Sequence, residues 1–119
     1  MPMNSFTIKQ GDIVVLDIPF SDFSETKKRP TLVISSTKYN NQSPDIVVAG
    51  ITSQRSDSSF HVTLSQNDLI EGKIKLDSSI KTDHPVTAHK KIIERRIWSV
   101  SSKKMDEVKS KIKELHGLI

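Results

Sequence analysis

Between Gly11 and Ser53 the chain carries three short apolar runs, GDIVVLDIPF, PTLVIS and DIVVAGITS, separated by the polar stretches SDFSETKK and STKYNNQSP. Runs this short, rich in Val and Ile and bounded by Gly, Pro or Asn, read as strands rather than helices. The second and third do not alternate apolar with polar residues. Both of their faces must therefore be covered, as happens in a small, strongly bent barrel. FHVTL, Phe60 to Leu64, does alternate and should keep one wet face, and SSIKTD and IIERRIWSVS add two further candidates. The expected sheet has about six strands. Pro19 weakens the end of the first strand, and the Asn, Ser and Pro of STKYNNQSP mark a turn or short excursion.

After residue 100 the period changes. Met105, Val108, Ile112 and Leu115 recur at spacings of three and four, one stripe of an amphipathic helix, with Lys104, Glu107, Lys111 and Glu114 expected on its wet side. Ser101 or Ser102 suits the N-cap, and Gly117 is placed to end the helix. The 119 residues fit a single domain spanning 1–119, mainly β with a helix at the end.

Composition narrows the function classes. With no cysteine, disulfides and thiolate-bound metals are excluded. The histidines show no H-x-H or H-x-x-x-H spacing, so no metal site is expected, and no glycine-rich phosphate loop or dinucleotide fingerprint occurs. No cofactor is expected. No stretch approaches the roughly 20 apolar residues of a bilayer span, and the N-terminus does not read as a secretory signal. The expected compartment is the cytoplasm, with no membrane contact. The net charge of +4 can neutralise a few phosphates and does not by itself identify a nucleic-acid partner.

The sharpest local feature is KKRPTLVIS, Lys27 to Ser35, in which three cations precede a proline and an apolar strand. A residue before proline is biased to extended geometry, so Arg29 should project stiffly from the strand's start with Lys28 beside it. The third strand breaks its apolar run at Gly50, a sign of a bulge or close backbone approach, and ends in Thr52, Ser53 and Gln54. Adjacent strand ends would bring Thr52 beside Arg29. A guanidinium fork with a neighbouring hydroxyl makes a phosphate clamp.

GDIVVLDIPFSDFSETKKRPTLVIS, DIVVAGITSQ, SSIKTD and IIERRIWSVSSKKMDEVKSKIKEL, in this order, resemble the PemK/MazF toxins of type II toxin–antitoxin systems over nearly the whole chain. The resemblance implies a small SH3-like β-barrel with a C-terminal helix and a homodimer. It also implies metal-independent endoribonuclease activity on single-stranded RNA, inhibited by a cognate antitoxin. Carried over by position, the essential arginine falls on Arg29, the threonine on Thr52 and a substrate-contacting loop serine on Ser24. Around IKTD the aspartate is Asp83, but the usual arginine is Lys81, which keeps charge and loses the bidentate fork. His84 stands where relatives often carry Gln, and Trp98 where they usually carry a smaller residue, for which packing is the expected role.

Cleavage by the adjacent 2′-OH needs charge stabilisation at phosphorus and a base. Arg29 suits the first task, Thr52 the orientation of the phosphate, and Asp83 and His84 are both candidates for the base, Asp83 only if its surroundings raise its pKa. Lys28, Ser53, Gln54, Lys81 and His84 complete the expected substrate contacts. The loop SDFSETKK is expected to act as a lid over them. Two rival readings are a gyrase-binding toxin, which the ending LHGLI disfavours, and a non-cutting member that binds antitoxin or RNA.

Overall fold

The computed structural model describes residues 7–19, 26–54 and 58–118. Ser24 and most of the expected lid, with the segment 55–57, lie outside them. The strands are β1 (Asp12–Pro19), β2 (Thr26–Val33), β3 (Asp45–Thr52), β4 (His61–Leu64), β5 (Leu69–Glu71), β6 (Ser78–His89) and β7 (Ile93–Val100). They form one curled sheet in the order β4-β6-β3-β2-β1-β7-β5, every pairing antiparallel. Two α-helices, α1 (Thr37–Gln42) and α2 (Ser102–Leu115), and two single-turn 3-10 helices, Gln66–Asp68 and Lys90–Ile92, complete the described fold. No helix among the described residues is long and apolar enough to cross a membrane.

The uninterrupted apolar runs have the expected cause. Ile13, Leu32 and Ala49 pack with Val62, Leu64, Ile80 and the α2 residues Met105 and Val108. Their chain neighbours Val14, Val33 and Val48 join Ile8, Leu16, Ile46 and Ala88 in a second cluster. Since successive residues of a strand point to opposite faces, β1, β2 and β3 are buried on both sides. β4 alternates as expected, with Val62 and Leu64 buried and Thr63 exposed.

Several boundaries differ from expectation. β2 begins at Thr26, so Arg29 lies inside the strand opposite Leu16 of β1 rather than at the strand's mouth. The pairing with β1 extends the strand through the cations, which local patterning cannot show. The excursion STKYNNQSP holds α1, capped by the Ser36 hydroxyl accepting from the Tyr39 N–H. β5 is the strand absent from the expected set, because three residues at a sheet edge carry too little pattern to read.

Helix α2 is capped by Ser101, whose hydroxyl accepts from the Lys104 N–H, and Gly117 follows it at φ +71°. Lys104 does not face solvent as its heptad position suggests. It is buried at the junction of α2 and β4, where its ammonium donates to the Thr63 carbonyl at 2.9 Å and to Glu107 at 2.8 Å and lies 3.5 Å from Asp68. A long stem lets a charged head cross the apolar margin of a helix to reach such partners.

Candidate nucleic-acid interface

Sheet register builds the site. Thr31 of β2 pairs with Gly50 of β3, and continuing this register by two residues brings Arg29 across from Thr52. Thr52 pairs in turn with Ser79 of β6, and Lys81 lies two residues further along the same face. Arg29, Thr52 and Lys81 thereby line one cleft of about 690 Å³, with Ser53 and Gln54 at its rim. Lys75 adds a third cation, and among the described residues no carboxylate lines the cleft. Among the described residues none of the three cations has an acidic partner. The Thr52 hydroxyl accepts from the Gln54 N–H at 3.1 Å, which fixes the strand-end turn and leaves the Thr52 O–H free to donate.

Lys28 takes no part. Adjacent strand residues point to opposite faces, and its ammonium turns away to Asp17, 3.3 Å distant, and to Glu94. Hydrogen bonds to Glu94 and then Asp17 raise its pKa above the ordinary lysine value. Its expected substrate contact therefore gives way to a surface ion-pair network.

Gly50 marks a bulge, but the displaced residues are on the partner strand. Between the pairs Ile51–Ile80 and Ala49–Pro85, the segment Lys81 to His84 of β6 faces Gly50 alone. A Cβ at Gly50 would meet nothing within 4 Å, so the residue opens the cleft wall rather than admitting a close backbone. The bulge lifts Asp83 and His84 toward β4, where His61 pairs with Lys81.

Asp83 and His84 are thus brought together with His61, next to the cleft rather than in its wall. Asp83 Oδ1 lies 2.9 Å from His61 Nε2 and 3.7 Å from His84 Nε2, and the Ser58 hydroxyl donates to Oδ2 at 3.4 Å. Desolvation alone would push the Asp83 carboxyl up. The charge of His61, the backbone N–H and the charge of His84 outweigh it, and the carboxyl sits below its ordinary pKa. The condition under which Asp83 would serve as a base, a raised pKa, is the reverse of what its surroundings produce. It is built instead to hold imidazoles. The side chain of His84 is 64% exposed and free to meet a substrate, while that of His61 is 11% exposed.

One ligand atom from each of His61, Asp83 and His84 lies within 4.8 Å of the others, so these are the described residues that could hold a metal ion. The cluster had no signature in sequence spacing because the β4–β6 register assembles it. His61 and Lys75 are the residues that sequence reasoning missed; the only signal for His61 was the alternation of FHVTL, which puts it on the polar face, and Lys75 had none.

Residues 9–116 match the family described as the PemK-like, MazF-like toxin of type II toxin–antitoxin systems. The chain is 27% identical over 114 residues to the endoribonuclease MazF of Staphylococcus saprophyticus, covering 93% of this chain and 92% of that protein. In fold it is similar to a MazE–MazF crystal structure from Deinococcus radiodurans, with TM-score 0.79 and 20% identity over 97% of this chain and all of that one. An endoribonuclease in complex with its cognate antitoxin from a mycobacterial species gives TM-score 0.77 and 18% identity over 94% and 97% of the two chains. The chain is therefore a member of the PemK-like, MazF-like toxin family of type II toxin–antitoxin systems.

Proposed function

We propose that this toxin is an endoribonuclease that cuts single-stranded RNA by attack of the 2′-oxygen on the adjacent phosphorus. The observation that carries the reading is the cleft itself, in which, among the described residues, Arg29, Lys75 and Lys81 have no acidic partner, no carboxylate stands in the wall, and the Thr52 hydroxyl is set among the cations. A site of that composition selects an anion such as a nucleic-acid backbone. Arg29 stabilises the charge that grows on the phosphorane oxygens, where preorganised donors act most strongly. Thr52 donates to the same phosphate and orients it.

His84 takes the 2′-OH proton, and Asp83 positions its ring. Here Asp83 acts through the imidazole, not on the substrate. The departing 5′-oxygen is protonated from the cleft's cations or from water, leaving a 2′,3′-cyclic phosphate. This route uses the RNA's own hydroxyl as nucleophile, so no group named here requires an ion to activate water. Ser53 and Gln54 contact the flanking nucleotides. The active form is a homodimer in the cytoplasm, and the inhibitor is an acidic, partly disordered antitoxin segment that orders across the same cations.

The test is cleavage of a mixed RNA with chelator present. Arg29→Ala should lose about 10²–10³ in rate, as removal of one preorganised donor does, with the melting temperature unchanged because the side chain is exposed. Thr52→Val should also be strongly impaired. Cleavage by Arg29→Ala within threefold of wild type would remove Arg29 from the reaction, and binding without cleavage by the wild type would favour the non-cutting reading.

A further inference from the structure

Part of the cleft wall is apolar. Ile74 and Leu76, in the connection between β5 and β6, line it together with Trp98 of β7, and Leu76 is 66% exposed. A side chain whose sole task is packing has little reason to stand in a cleft floored by cations. Trp98 packs one edge against the barrel core, with its remaining surface facing the cleft.

The ring's seat is built by a glycine. Gly72 has φ +113°, and a Cβ there would lie 1.8 Å from Trp98 Cδ1, 2.2 Å from Cγ and 2.5 Å from Nε1. Any side chain at 72 would displace the indole, so glycine is required for space as well as for backbone conformation. With Gly72 behind it and the core beside it, the ring is fixed before any ligand arrives. A half-buried aromatic in the same cleft as a phosphate clamp is the pairing by which proteins hold unpaired nucleic acid, backbone on cations and base on a π-face.

We propose that Trp98, seated on Gly72 and flanked by Ile74 and Leu76, is the stacking platform for one unpaired nucleobase of the RNA strand whose phosphate meets Arg29, Thr52 and Lys81. The inference rests on the reading of the cleft as an RNA site and adds to it a base subsite. It turns a residue that sequence assigned to packing alone into a contact that holds the base beside the cut.

Trp98 is the protein's one tryptophan, so its fluorescence reports the ring directly. The full-length protein is titrated with a dye-labelled single-stranded oligonucleotide whose 2′-hydroxyls are replaced by hydrogen, following dye anisotropy and Trp98 emission together. The expected result is quenching of Trp98 along the same curve as the anisotropy. Trp98→Phe should bind within about threefold of wild type, and Trp98→Leu, which keeps apolar contact but has no π-face, should bind about ten- to a hundredfold more weakly when compared at a temperature where circular dichroism shows both proteins fully folded. Arg29→Ala should keep the quench at saturating oligonucleotide while losing cleavage of RNA.

An anisotropy rise with Trp98 emission unchanged would overturn the base subsite and leave the RNA reading standing. So would Trp98→Leu binding as tightly as wild type. Trp98 emission that follows protein concentration and ignores the oligonucleotide would assign the wall to a second copy of the chain instead. Absence of any anisotropy change with the wild type would overturn the RNA reading itself, and the subsite with it.

Discussion

At the scale of single residues, the division of labour between Asp83 and its two imidazoles is the point most open to measurement. Asp83→Asn keeps the shape and removes the charge that holds His84. The kcat should fall about ten- to a hundredfold with KM nearly unchanged, since the group orients a base and does not bind substrate. A loss carried by KM instead, or a variant that has lost its fold by circular dichroism, would make Asp83 merely structural. The residues of this site differ in how far sequence discloses them. Arg29 and Thr52 could be paired because each is named by its strand's chemistry, a cation before proline and a hydroxyl after an apolar run. His61 could not, because it reaches Asp83 only through the pairing of β4 with β6.

At the scale of elements, the contrast between strands and helix shows what a pattern can carry. The two-sided burial of β1, β2 and β3 was legible in uninterrupted apolar runs, as was the apolar stripe of α2. The burial of Lys104 was not, since periodicity places a Cα on a face and says nothing of where a long side chain ends. That lysine makes the α2–β4 junction sensitive to acid through Asp68. Desolvation raises the Asp68 pKa, but hydrogen bonding from Ser65 and the charge of Lys104 outweigh it, and the folded value is lowered from 3.8. A lowered carboxyl contributes stability that is complete above the unfolded value and is lost as pH falls through the folded one. Asp68→Asn should therefore be less stable than wild type at pH 7, by about 1–2 kcal/mol, and the gap should close as pH drops below about 4. Denaturant unfolding of both proteins between neutral and strongly acid pH checks the sign, and a gap that widens on acidification would contradict it.

At the scale of the whole molecule, a net charge of +4 is too diffuse to act alone, and what matters is that three cations share one cleft with no carboxylate among its described lining residues. If all three meet phosphates, the slope of log affinity for single-stranded RNA against log salt should be about −2, from ~0.7 per contact. Between about 50 and 200 mM salt the affinity should then drop roughly twentyfold. Lys75→Ala should lower the slope by about 0.7 and Lys28→Ala should leave it alone, because Lys28 is already matched by Glu94 and Asp17. A slope near zero would mean that the cleft's charges are not what holds the strand.

The buried lysine has one more consequence. In the sheet order β4 is a border strand, and border strands expose backbone groups that another chain can pair with. The Lys104 ammonium covers the Thr63 carbonyl of that strand and sets a desolvated charge beside it. The helix that follows the barrel thus reaches across to this open flank and occupies a carbonyl that a strand of another chain would otherwise use.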